Sequence, residues 1–140
     1  MRAFNIYISM QQNFDYDYAV VAGNGIITDY NGVIETRYSL DKEYGCATLI
    51  ELRTLRHGLQ ICGGLQPIAI SVYSSNLNII EQLRGTKTKR TTDLVSAYSE
   101  IEDLLGKLDV PVHFQWIPKN TMPTWASYFR QSDEGGLLYA

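Results

Sequence analysis

Few residues in this chain of 140 could do chemistry, and Glu51 is the first of them. It lies in Ala47-Thr48-Leu49-Ile50-Glu51-Leu52, a stretch otherwise almost wholly apolar. Helical spacing puts it on one face with Ala47, Leu55, Gly58 and Cys62. A carboxylate on such a face needs a partner. It is either a ligand for a hard cation or a structural acceptor for a hydroxyl. A second feature is Arg84-Gly85-Thr86-Lys87-Thr88-Lys89-Arg90, with four basic residues in seven. Flexible cations of this kind follow a phosphate backbone, or else form a solvated loop. A third is the group Trp116, Trp125, Tyr128 and Phe129, which could stack on bases, form a partner-binding patch, or fill a core. Asp15-Tyr16-Asp17-Tyr18 could hold one metal ion but reads first as a solvated turn. His57 and His113 have no cysteine, aspartate or second histidine at zinc spacing. Gly23-Asn24-Gly25 lacks the rest of a phosphate-binding loop.

These residues need elements to hold them, and the alternation of apolar and polar positions supplies candidates. Phe4 to Ile8 reads as a strand. Tyr18 to Ile27 reads as a second, bent or bulged at Gly23 and Gly25. Asp29-Tyr30-Asn31-Gly32 is a hairpin turn, because Asn-Gly supplies positive φ. Val33 to Leu40 then completes an antiparallel meander. The spacing of Leu52, Leu55, Leu59 and Cys62 predicts a helix over Cys46 to Cys62, ended by Gly63-Gly64. Ile68 to Tyr73 is a continuous apolar run, suited to a strand buried on both faces. Ser74-Ser75-Asn76 can cap a helix over Leu77 to Leu83. Thr91 or Thr92 can cap another, with Leu94, Tyr98, Ile101, Leu105 and Leu108 on one face. Pro111 to Ile117 is a last strand, and Pro123 opens a short helix over Thr124 to Arg130.

Bulk properties narrow the function classes. Hydrophobic content of 45% and charged content of 19% fit one globular domain, placed at residues 1–131, with 132–140 as a tail expected to be disordered. The net charge of -3 excludes a protein coated in basic residues, so any nucleic-acid contact must come from a local patch. Cys46 and Cys62 are separated by about 24 Å along one helix, at ~1.5 Å per residue, and cannot bridge. They read as buried thiols of a reducing compartment, so the expected setting is the cytoplasm, or the nucleus in a eukaryotic cell. Met1-Arg2-Ala3 leads straight into a strand pattern, and no apolar run approaches the ~20 residues of a membrane span.

The order β-β-β-α-β-α-α-β-α resembles the ribonuclease H family across roughly residues 4 to 130. The matching segments are Phe4 to Ser9, Gly23 to Ile27 with Tyr30-Asn31-Gly32, Ala47 to Leu52, Ile70 to Ser75, and Phe114 to Asn120. The resemblance implies an α/β fold: a five-stranded mixed sheet, three antiparallel strands followed by two in parallel, with helices on both faces. It also implies a site, with departures. The position of the first catalytic aspartate reads as Ser9, the second as Tyr73, and the loop histidine as Asn120; Thr124 to Arg130 holds no acid for the last. Glu51 alone is kept, where it should lie beside Ser9 and Tyr73. Two-metal hydrolysis needs several carboxylates around hard Mg²⁺ ions. The expectation is therefore a catalytically degenerate scaffold with no cofactor, binding nucleic acid (an RNA/DNA hybrid or duplex) or protein, a second copy included, and no membrane. Arg84, Lys87, Lys89 and Arg90 would contact phosphates. One alternative is a Mg²⁺-dependent nuclease with carboxylates relocated to Asp15, Asp17 or Asp29. Another is a protein-interaction module of a virus or mobile element.

Overall fold

The computed structural model describes residues 2–13, 20–44, 47–85 and 94–121. The strands are β1 (Arg2–Asn13), β2 (Val20–Asp29), β3 (Ile34–Tyr44), β4 (Pro67–Ser74) and β5 (Val112–Trp116). The helices are α1 (Ala47–Gly63), α2 (Leu77–Arg84) and α3 (Val95–Leu108), followed by a 3-10 turn at Lys119–Thr121. The strands form a single sheet in the order β3-β2-β1-β4-β5. β1–β2 and β2–β3 pair antiparallel, whereas β1–β4 and β4–β5 pair parallel. This is the ribonuclease H-like mixed sheet that the element order implies.

Each turn follows from its residues. The Asp29 carboxylate accepts backbone N–H bonds from Asn31 and Val33, and Gly32 takes φ 86°. Asp29 is thereby committed to the hairpin. Register shifts fall between Val21 and Gly23 and between Ile27 and Thr28, so β2 is irregular near the expected glycines. Gly25 has a further cause. A Cβ there would lie 2.1 Å from the Tyr38 ring. Tyr38 crosses over Gly25 so that its hydroxyl donates to the Thr54 carbonyl of α1 at 2.5 Å.

The core lies between the sheet and the helices. Phe4, Ile6 and Ile8 of β1 and Ile70 and Val72 of β4 pack with Leu52, Leu55, Leu59 and Cys62 of α1. Tyr98 and Ile101 of α3 complete it, with Leu94, Leu105 and Leu108 packed half-buried at its margin. The expected caps at Thr91 and Thr92, the terminal helix over 124–130 and the tail at 132–140 lie outside the described residues. No described helix is long and apolar enough to cross a membrane.

Candidate site around Glu51

Glu51 is in the second turn of α1 and only 3% exposed. It faces the C-terminal end of β4 and the start of α2. Alternation in β4 buries Ile70, Val72 and Ser74 together on the helix side. Ser74 is fully buried, and its hydroxyl donates to Glu51 Oε1 at 3.4 Å, a long and weak contact. The same Ser74 oxygen accepts the Asn76 backbone N–H at 2.9 Å. Asn76 Oδ1 in turn accepts from the Ile79 N–H, capping α2. Glu51 is thus tied through Ser74 to the N-terminus of a helix. Its second oxygen, Oε2, has no hydrogen-bond partner.

Electrostatics follow from that burial. Desolvation pushes the Glu51 carboxyl up to about 7, against favourable contacts with the Asn76 and Ser74 side chains. Near neutral pH it carries a proton for much of the time. Such a group can donate or accept a proton.

The placement of the expected site residues is not the one read from sequence. Tyr73 precedes Ser74 by one residue and therefore projects from the opposite face of the sheet. There its ring stacks on Tyr7, with centroids 4.8 Å apart and planes 12° from parallel. Ser9 follows the buried core residue Ile8 and pairs with Asn24, again on the face away from Glu51. The expected grouping of Ser9, Glu51 and Tyr73 is corrected on this point: the residues that share a face with Glu51 are Ile8 and Ser74. Asn120 belongs to the 3-10 turn after β5. Arg84, the last residue of α2, directs its Nε to the Phe114 carbonyl at 2.6 Å. Lys87, Lys89 and Arg90 lie outside the described residues, as do Asp15, Asp17, Cys46, Trp125, Tyr128 and Phe129. Trp116 is not core: it is 42% exposed, and its indole N–H donates to the Ser75 carbonyl. His57 is exposed on α1 with its ring tilted against Tyr38.

Sequence reading missed Ser74 as the partner of Glu51 and saw it only as part of a cap. The signal was present in the parity of β4, because Ser74 shares the phase of Ile70 and Val72. Mg²⁺ is the cofactor that the fold would suggest. Among the described residues the groups around Glu51 are its own carboxyl, the Ser74 hydroxyl and the Asn76 side chain, with Ile8 on the adjoining strand. No group of three or more His, Cys, Asp or Glu side chains converges among the described residues. That donor set does not fit a pair of hard divalent ions.

The sequence pattern of the family described as reverse transcriptase-like matches residues 14–124. The chain belongs to this family. No curated protein matches it. Among solved structures, the reverse transcriptase-like chain is similar to ribonuclease H1 of the archaeon Halobacterium salinarum, with a TM-score of 0.74 at 16% identity, covering 85% of this chain and 88% of that one. It is similar to LC11 ribonuclease H1, isolated from compost and solved with an RNA/DNA hybrid (TM-score 0.75, 15% identity, 84% and 87% covered). It is also similar to the foamy viral protease-reverse transcriptase solved with an RNA/DNA hybrid (TM-score 0.63, 12% identity). There the match covers 84% of this chain but 17% of the viral one. At these identities the likeness is one of fold.

Proposed function

We propose that this reverse transcriptase-like chain binds an RNA/DNA hybrid or duplex without two-metal hydrolysis. The observation that carries the second half of the reading is the partner of Glu51. A second carboxylate at that point would make a cation site, and Ser74 stands there instead, with Oε2 of Glu51 left unpartnered. The first half is supported by structural neighbours solved with RNA/DNA hybrids, and by the four basic residues in the segment 84–90 of an otherwise acidic chain. Lys87, Lys89 and Arg90 would supply phosphate contacts, and a basic group contributes affinity by releasing counterions. Arg84 contributes less, because its Nε is engaged by β5. No bound cofactor is invoked. A cytoplasmic setting agrees with the buried free thiol of Cys62, pushed up to about 12 by burial.

The test is a titration with labelled RNA/DNA hybrid in Mg²⁺ and in Mn²⁺, reading binding and cleavage together. Binding without cleavage is expected. Cleavage that disappears in Glu51→Gln would restore a nuclease whose carboxylates come from elsewhere. Neither binding nor cleavage would turn the reading to a protein-interaction module.

A further inference from the structure

Among the described residues the sheet ends in two edge strands that differ in kind. β3, at one edge, contains Glu35, Arg37, Asp41, Lys42 and Glu43, and charged residues on an edge discourage pairing with another chain. β5, at the other edge, is Val-His-Phe-Gln-Trp, with no Asp, Glu, Lys or Arg. It is short and bounded by Pro111 and Pro118. Its ladder with β4 shows which peptide groups are used. Ile70 N–H donates to the Pro111 carbonyl, and Ile117 N–H donates to the Ser74 carbonyl. Odd-numbered residues of β5 therefore face β4, and the N–H and C=O groups of Val112, Phe114 and Trp116 face outward. The central outward carbonyl, that of Phe114, is the one that accepts Arg84 Nε at 2.6 Å.

We propose that Arg84 guards the β5 edge, and that the edge, once uncovered, takes the β5 strand of a second copy in antiparallel pairing. The three outward residues are symmetric about Phe114. A two-fold axis there pairs Phe114 with its own counterpart and Val112 with Trp116, so that every outward group of both strands is satisfied. A copy of the same strand is thus self-complementary to this edge. Arg84 occupies the acceptor on which that pairing centres. Its side chain reaches over from the last turn of α2, which Gly85 ends in the left-handed conformation at φ 78°.

Arg84→Met keeps the apolar stem and helix propensity and removes the donor. Arg84→Gln places an amide N–H at the same number of bonds from the backbone as Nε. Light scattering after gel filtration, across a concentration series, reads the outcome, with circular dichroism confirming each fold. The wild-type chain and R84Q should remain monomeric. R84M should self-associate at least roughly tenfold more tightly than wild type, the scale of a few recovered edge hydrogen bonds. Arg84→Ala carries the same expectation should R84M not fold. Adding Trp116→Pro, which deletes an outward N–H and the indole bond to Ser75 but no ladder bond to β4, should return R84M to the monomer. A folded R84M or R84A that stays monomeric overturns the proposal. So does R84Q associating as strongly as R84M, or a dimer indifferent to Trp116→Pro.

Discussion

Glu51 shows how burial sets the behaviour of a single carboxylate. It is buried, has one weak hydroxyl partner, and is charged only at the cost of desolvation. Its native pKa of about 7 lies above the 4.5 of an ordinary glutamate, so the folded state binds a proton that the unfolded chain releases first. The stability associated with that proton is fully present below about pH 4.5 and lost as pH rises through about 7. Glu51→Gln should therefore stabilise the protein at pH 8, by on the order of 1–3 kcal/mol. The gain should shrink toward zero near pH 4, where both side chains are neutral. Urea denaturation at the two pH values checks this, and an equal effect at both would show that charge burial is not the cause. Gly25 makes a second prediction at this scale. Gly25→Ala would drive a methyl into the Tyr38 ring and should cost about 2–4 kcal/mol, read as a lower urea midpoint. A shift below about 0.5 kcal/mol would mean that Tyr38 moves aside freely.

Among the elements, α2 is the piece that links the site to the sheet edge. Its first turn is capped by Asn76, whose backbone N–H leans on Ser74, and its last residue reaches the β5 backbone. Asn76→Ala should cost about 1 kcal/mol through the lost cap. It should also raise the Glu51 pKa further, since the Asn76 side chain favours the ionised form. An NMR titration of the Glu51 carboxyl carbon in both proteins reads that shift, and an unchanged value would remove Asn76 from the account. The strands and helices were legible in the sequence because their apolar spacing is periodic. The facing of Glu51 was harder. In a strand, one residue separates opposite sides of the sheet, so a reading that centred the site on Tyr73 rather than Ser74 placed it on the wrong face. Gly25 was legible as an irregularity, but the Tyr38 ring above it comes from another strand, which local sequence does not announce.

For the whole molecule, the open question is what the scaffold binds, and salt dependence answers it. Replacing Lys87, Lys89 and Arg90 by Glu should weaken hybrid binding and flatten the slope of log K against log salt, by about one unit for each lost phosphate contact. Binding that survives at an unchanged slope would take the basic segment out of the interface. What the sequence alone determined is the class of fold, because periodicity of two or near 3.6 is a local property. What only the tertiary structure decided is which side chains meet. The pairing of β1 with β4 set the faces, putting Ser74 against Glu51 and Tyr73 on Tyr7. The docking of α2 on β5 set the Arg84 Nε against an edge carbonyl. Both depend on strand register and helix packing between segments far apart in the chain; the parity of β4 tells which of its residues share a face, but not what they meet.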